Sequence, residues 1–237
     1  NVLEKYYVPG EGGHVLGTDQ LGRDQLVRLM IGGQISMSIA YAASLLSISI
    51  GVALGLVAGY VGSIADDLFL WLITTLTSIP STFLLLLAAI IWYPSPMVLI
   101  IILALLSWVD TARLVRGEVL QLRESEFILA ARSVGAHDSR IMLSHLLPNL
   151  LPMVVVNLAI IAGTLILAES ALSFLGLGIQ PPTASWGNML TDSRKYFTRA
   201  VHLVIWPGLL ITLSVICFYL LGDGLRDALD PRDTRPG

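Results

Sequence analysis

No Asp, Glu, Lys or Arg occurs between Arg28 and Asp66, between Asp67 and Asp110, or between Arg199 and Asp223. Each gap is longer than the roughly 20 apolar residues that carry a helix across a bilayer. Charged residues make up only 13% of the chain and hydrophobic ones 55%, where a soluble domain carries about 25% charge. So few charges cannot cover a water-facing surface, and the chain reads as an integral membrane protein. A net charge of −3 leaves no basic surface for nucleic acid. The single cysteine, Cys217, has no partner for an internal disulfide. No C-x-x-C or H-x-x-x-H spacing suggests a metal site.

Five spans are expected. The first covers about residues 34–61, preceded by a loop rich in turn formers and a short helix near 24–30. In it Ala43, Ser47, Gly51, Gly55 and Gly59 recur every four residues, a small-residue face for close helix packing. A short turn at 62–67 leads to the second span, about 68–92, which Pro80 is expected to kink. Trp92, Tyr93, Pro94 and Pro96 mark an interface and a tight connection. The third span, about 97–110, is expected to continue as a helix past the lipid, and the fourth covers about 150–168. Residues 176–199, polar and turn-rich, are expected to form an exposed external loop, and the fifth span, about 201–221, is expected to kink at Pro207. The expected division is an external loop and pre-span helix over 1–33, a membrane domain over 34–222 and a charged tail over 223–237. No internal repeat is visible, which argues against an inverted-repeat secondary transporter.

Five spans place the two ends on opposite sides. Arg113, Arg116, Arg123, Arg132, Arg140, Arg226, Arg232 and Arg235 lie on one side. Lys5, Arg23, Arg28, Arg194, Lys195 and Arg199 lie on the other. Eight against six mildly favours a cytoplasmic loop 111–147 and a cytoplasmic C-terminus. An external N-terminal end is reached most simply if a further span precedes residue 1, which makes six in the full protein.

Residues 124–148, ESEFILAARSVGAHDSRIMLSHLLP, read as a helix, a glycine break, a second short helix and a proline stop. Gly135 suits a positive-φ helix terminus. His137 or Asp138 starts the next helix, with Asp138 a good N-cap. That helix covers about 139–147, and Ile141, Met142, His145 and Leu146 form an apolar stripe. The stripe lies on lipid, on the chain's own helices, or in a partner's groove.

This segment resembles the EAA loop of permease subunits of bacterial ABC importers: E-A-A, three residues, Gly, nine residues, I-x-L-P. Ala130, Ala131, Gly135, Leu147 and Pro148 match it, while Leu129 stands in place of the glutamate and His145 in place of the isoleucine. HVLGTDQLGRD (14–24), ESALSFLGLG (169–178), QPP (180–182), SWGNML (185–190) and GDGLRDALDP (222–231) resemble the "C"-type permease subunits of the dipeptide/oligopeptide/nickel group. The resemblance implies an all-α, polytopic helical bundle with the type I ABC importer permease fold, in a bacterial or archaeal cytoplasmic membrane. It implies a homologous permease subunit as partner in the bilayer, two ATPase subunits that carry ATP and Mg, and an external substrate-binding protein. The chain itself has no G-x-x-x-x-G-K-[ST] sequence, and its only lysines are Lys5 and Lys195. It is therefore expected to be non-catalytic and to bind no cofactor.

Residues expected to couple to the ATPase are Ala130, Ala131, Arg132, Gly135, Ala136, Ser139, Ile141, Met142, His145, Leu147 and Pro148. Gly51, Gly55 and Gly59 are expected to pack helices. Asp19, Arg23, Asp24, Glu169, Pro181, Pro182 and Trp186 are expected at an external gate or binding-protein surface. Glu169 is either a functional intramembrane group or a helix-end carboxylate bonded to Ser170, Ser173 or a neighbouring span. Trp186 is expected to plug or brace the external loop. Asp110 reads as structural, near Arg113 or Arg116, and His145 and His202 as non-ligands. Peptides are the leading substrate class; nickel, glutathione or oligosaccharides are the alternatives within the group. A proton-coupled secondary transporter would need paired intramembrane acids, which are scarce, and a scaffold subunit would have no use for the ATPase-docking loop.

Overall fold

The computed structural model describes residues 5–92, 95–194, 197 and 200–229. Tyr93, Pro94, Lys195, Arg199, Arg232, Arg235 and the end of the tail lie outside the described residues. Among the described residues nine α-helices follow in order: α1 (Gln25–Val61), α2 (Ser63–Thr77), α3 (Ser81–Ile91), α4 (Pro96–Leu122), α5 (Glu126–Ser133), α6 (Asp138–Arg140), α7 (Leu147–Phe174), α8 (Trp186–Arg194) and α9 (His202–Leu229). A π-helical stretch, Ile141–Leu146, joins α6 to α7. Among the described residues four helices are long and apolar enough to cross a membrane, and a fifth span arises if α2 and α3 count as one. Leu54, Trp71, Phe83, Ile90, Leu105 and Leu213 are exposed on these helices, as expected of side chains whose solvent is lipid.

Several expected boundaries move. The pre-span helix and the first span are one helix, because Gly32 and Gly33 continue α1 rather than break it. The turn at 62–67 shrinks to Gly62, whose φ of 66° reverses the chain directly into α2. The kink at Pro80 is a full break: α2 and α3 are bent by 77°, since Pro80 cannot donate to the turn before it. The largest correction concerns Pro148, which was expected to stop a short helix. The helix instead runs on from Asp138 to Phe174. The wider π turns carry the Leu147 N–H to the Met142 carbonyl, so the N–H that Pro148 lacks is not needed in the same register. The Asn149 side chain donates to the His145 carbonyl at 2.6 Å.

Contacts divide the chain into two compact units. One comprises Ser44–Leu84, Ala104–Ile161 and Tyr219–Gly237. In it α1 lies against α4 along its glycine face. A Cβ at Gly51 would sit 2.7 Å from Thr111 Cβ, one at Gly55 2.5 Å from the Ala112 carbonyl, and one at Gly59 2.9 Å from Val119 Cβ. Asp66 on α2 holds Arg116 on α4 through both its oxygens, with Arg116 Nη2 at 2.7 Å from Oδ2. Asn157 on α7 donates to Thr111 on α4 at 3.0 Å. Asp110 is exposed and lies 3.8 Å from Arg113. The other unit comprises Asn1–Ala43, Leu85–Leu103 and Ala162–Phe218. Its core includes Leu29, Ile39, Leu99, Leu103, Ile166 and Trp186.

The glycine face predicts a contrast between two single substitutions. Gly55→Ala must move the backbone of α4, and overpacking of this kind destabilises by about 1–3 kcal/mol. Gly117→Ala meets nothing within 4 Å, and removing a mid-helix glycine there is expected to stabilise by up to about 1 kcal/mol. Thermal denaturation of the detergent-solubilised protein checks both signs. Equal midpoints for the two variants would refute the close approach.

Candidate functional site

The segment between α4 and α7 is built around a helix end. At the end of α5 the Gly135 N–H donates to the Arg132 carbonyl at 2.9 Å and the Ala136 N–H to the Ala131 carbonyl at 3.1 Å. This crossed pair closes the helix in a Schellman motif and needs a left-handed residue at its apex. Gly135 supplies it with φ of 79°. Ala131 and Ala136, the two residues bridged by the longer bond, both pack on the cluster of Leu56, Tyr60, Val115, Val119, Ile128, Ile141, Leu146 and Leu150. The matched Ala-Ala and Gly of the motif are thus one structural device: the alanine fits the core and the glycine turns the chain.

The apolar stripe faces inward. Ile141 and Leu146 are fully buried, and Met142 and Leu147 pack against the same cluster. The reading that the stripe itself fills a partner's groove is therefore corrected, and the packing on the chain's own helices is what the structure shows. Ala130, Arg132, Gly135, Ser139 and Pro148 face outward and His145 is half-buried. Phe127, Leu129, Val134 and Leu143 are the large apolar residues left exposed on this segment.

Tyr60, which the sequence reading missed, clamps the turn. Tyr60, in the last turn of α1, donates its hydroxyl to Asp138 Oδ1 at 2.7 Å. The Arg132 guanidinium lies 5.3 Å from the centroid of the same ring. One aromatic side chain thus grips both flanks of Gly135. Asp138 is the first residue of α6, with His137 as its N-cap, so its carboxylate serves Tyr60 rather than capping the helix as expected. The sequence signal was only an aromatic at a span end, which interface anchoring explains equally well.

In the other unit, Asp19 gathers a knot. Its Oδ1 accepts the Leu21 and Arg23 N–H groups at 2.8 and 2.9 Å. Its Oδ2 lies 2.7 Å from Arg23 Nε and 3.3 Å from Arg28 Nη1. Asp24 caps α1 by accepting from the Val27 N–H at 3.1 Å, and it pairs with His14 Nδ1 at 2.7 Å. That hydrogen bond is the chief influence holding the Asp24 carboxyl below its ordinary value of 3.8.

The loop 176–199 is expected from its sequence to be polar and exposed, and its described part departs from that. Pro181 and Pro182 are exposed, but Ala184, Ser185, Trp186, Asn188 and Met189 are buried. Trp186 donates its indole N–H to the Leu29 carbonyl at 2.9 Å. Its ring lies over Gly33, where a Cβ would come within 2.6 Å. Ser185 and Asn188 cap α8 reciprocally, Asn188 N–H to Ser185 Oγ at 3.2 Å and Ser185 N–H to Asn188 Oδ1 at 3.1 Å. Glu169 is fully buried, and the Ser173 hydroxyl donates to its Oε1 at 2.7 Å. Among the described residues no group of three or more His, Cys, Asp or Glu side chains could hold a metal.

These helices define a polytopic α-helical membrane protein. A solved chain described as "Inward facing conformations of the MetNI methionine ABC transporter" superposes with a TM-score of 0.68 at 20% identity, covering 86% of this chain and 97% of that one. Residues 51–235 match the family described as "Binding-protein-dependent transport system inner membrane component", and the chain belongs to that family. The oligopeptide transport system permease protein OppC of Haemophilus influenzae is 41% identical over 223 residues, 94% of this chain and 72% of that protein. The dipeptide transport system permease protein DppC of Alkalihalophilus pseudofirmus is 41% identical over 219 residues, 92% of this chain and 72% of that protein. The glutathione transport system permease protein GsiD of Pectobacterium atrosepticum is 40% identical over 219 residues, 92% and 73% of the two chains.

Two outcomes test the geometry. Tyr60→Phe keeps the ring under Arg132 and removes a part-buried hydrogen bond to a carboxylate, a loss of about 1.5 kcal/mol. Hydrogen-exchange protection of residues 132–139 is expected to fall severalfold; wild-type protection would show that the clamp does not hold the turn. The Asp24 pair contributes stability above the ordinary carboxylate value of 3.8 and loses it as pH falls through the lower folded value. Hydrogen-exchange protection of residues 14–28, taken relative to the intrinsic amide rate at each pH, should therefore fall below about pH 4 in the wild type, and Asp24→Asn should be weakly protected at every pH. An acid-insensitive wild type would contradict this.

Proposed function

We propose that the chain is a permease subunit of an ATP-driven, binding-protein-dependent importer of peptides, and that it docks its ATPase partner through the outward side of residues 126–144. The observation that carries this reading is the two-sidedness of that segment. Ile128, Ala131, Ile141 and Leu146 lock it into the core, while Val134 and Leu143 stand 85% and 61% exposed. An anchored element with an apolar outer edge is suited to transmit motion, because a partner that moves it must move the helices it is locked to. ATP hydrolysis belongs to the ATPase subunits, since this chain lacks a phosphate-binding Gly-rich loop with its lysine.

In this reading 126–144 and the C-terminal end lie in the cytoplasm, and 5–24 and 176–194 face outward toward the binding protein. A second, homologous permease completes the pathway. Peptides are the substrate class favoured by relatives named for oligopeptide, dipeptide and glutathione transport.

Val134→Asp puts a charge on the most exposed apolar residue of the loop while leaving the core untouched. Transport by the reconstituted complex is expected to drop at least tenfold, with the permease still inserted and the ATPase binding it more weakly on pull-down. A thiol at Ser139→Cys should label only from the cytoplasmic side; labelling from outside would reverse the topology. Uptake of labelled dipeptides, longer peptides, glutathione and nickel, each with candidate binding proteins, assigns the substrate. Nickel uptake alone would overturn the peptide assignment.

A further inference from the structure

A cavity of about 610 Å³ opens between α4, α7 and α9, within the unit that holds the α4–α7 loop. Its size falls in the range of about 300–1,000 Å³ typical of small-ligand pockets. Leu114 and Glu118 of α4, Met153 and Asn157 of α7, and Arg226 of α9 line it. Such pockets are mostly apolar, with a few polar groups that orient the ligand. Here those groups are one carboxylate, one guanidinium and one amide. No ion pair joins Glu118 to Arg226 among the described residues, so each keeps its charge for a ligand. Asn157 is already oriented: its Nδ2 donates to Thr111 Oγ1 at 3.0 Å, which leaves Oδ1 as an acceptor.

The face of α4 that lines the cavity is one that lipid covers badly. Asp110, Leu114 and Glu118 recur every four residues, which aligns them on one side of the helix. Asp110 lies midway along α4, a 27-residue helix long and apolar enough to cross a membrane. Its side chain is nevertheless 91% exposed. Arg113, 3.8 Å from it, donates Nη2 to Thr77 on α2 at 3.2 Å. A carboxylate bare to hydrocarbon at that depth is costly, and such groups face a bundle interior or a water-filled cavity.

We propose that this cavity is a subsite of the transport pathway that takes the zwitterionic backbone of a short peptide. Arg226 receives the terminal carboxylate, Glu118 the terminal ammonium, and Asn157 Oδ1 a peptide N–H. Asp110 continues the polar lining along α4. The proposal deepens the peptide-importer reading and rests on it. Single charges of opposite sign on two walls of one cavity suit a zwitterion. Arg226 would repel a bare metal cation, and an oligosaccharide would leave both charges unpaired, which disfavours its binding.

The test uses the reconstituted permease–ATPase complex with Leu114→Cys as reporter, in the Cys217→Ser background and with the partner chains' cysteines replaced. Leu114 is 46% exposed. Maleimide labelling of the new thiol is measured against rising concentrations of tri-alanine, tri-alanine amide and N-acetyl-tri-alanine. Tri-alanine is expected to protect, and each blocked peptide to need about tenfold more for half-protection, the loss of one charge-assisted contact. In Arg226→Gln the amide and the free acid should become equal; in Glu118→Gln the acetylated and free peptides should. A merely structural role would weaken protection by all three peptides alike. Equal protection by the three peptides in the Leu114→Cys complex overturns the proposal, and that result needs neither charge variant to assemble. A thiol that maleimide does not reach also overturns it, and assigns this face to contact with the second permease. Binding-protein-dependent uptake of tri-alanine by the same complex is read alongside. Uptake without protection sinks the subsite and leaves the importer reading standing; protection without uptake does the reverse.

Discussion

The approach of α1 to α4 over Gly51, Gly55 and Gly59 is the contact from which the loop between α4 and α7 takes its position. With hydrogens in place of side chains, the α1 backbone comes close enough that any Cβ would strike α4. In lipid there is little hydrophobic drive between helices, so dispersion at close range has to do the work. The same approach aligns Leu56 and Tyr60 of α1 with Val115 and Val119 of α4. Those four residues form the floor on which Ile128, Ala131, Ile141 and Leu146 rest. The Arg116–Asp66 pair and the Arg123 bond to the Gly59 carbonyl at 3.0 Å reinforce the same corner.

Two helix ends use one solution for different purposes. Gly135 and Gly176 both sit at positive φ, 79° and 80°, and both close a helix with the crossed Schellman bonds. After Gly176 the Leu177 N–H reaches the Leu172 carbonyl at 2.8 Å. Beyond Gly135 the chain presents its outer face to a partner in the proposed assembly. Beyond Gly176 it turns back and buries itself against α1 and α7, and the Ile179, Trp186 and Asn188 N–H groups are each accepted by a serine hydroxyl. Orphan backbone groups are costly away from water, which accounts for the serines gathered there. Adding a side chain at Gly135 would meet nothing within 4 Å. Its cost is backbone strain alone, on the order of 1–2 kcal/mol.

The departures from the family pattern fall where the structure tolerates them. Leu129, which replaces the glutamate, is 48% exposed on the outer side of α5 and adds to the apolar edge beside Val134. His145 replaces the isoleucine at a half-buried position, and its carbonyl is covered by Asn149. Neither change reaches the Ala131, Gly135 and Ala136 device that shapes the turn.

The spans, the glycine face and the left-handed turn at Gly135 were legible in the sequence because each follows from local chemistry: uncharged length, period-four small residues, and a glycine after a helix-favouring run. The family was legible because its motifs are contiguous. What the sequence left open depended on partners far along the chain. Pro148 reads locally as a stop, yet π turns and Asn149 carry the helix through it. The stripe at Ile141 and Leu146 reads equally as a face for a partner or for the core, and only Leu56, Val115 and Ile128 settle it inward. Tyr60 and Asp138 are 78 residues apart, and Trp186 finds Ser36 and Leu29 across some 150. Hydrogen bonds of that span have no local signature, because a donor's residue type is the same whether its acceptor is water or a distant carbonyl. Tertiary structure alone decided which buried polar groups meet.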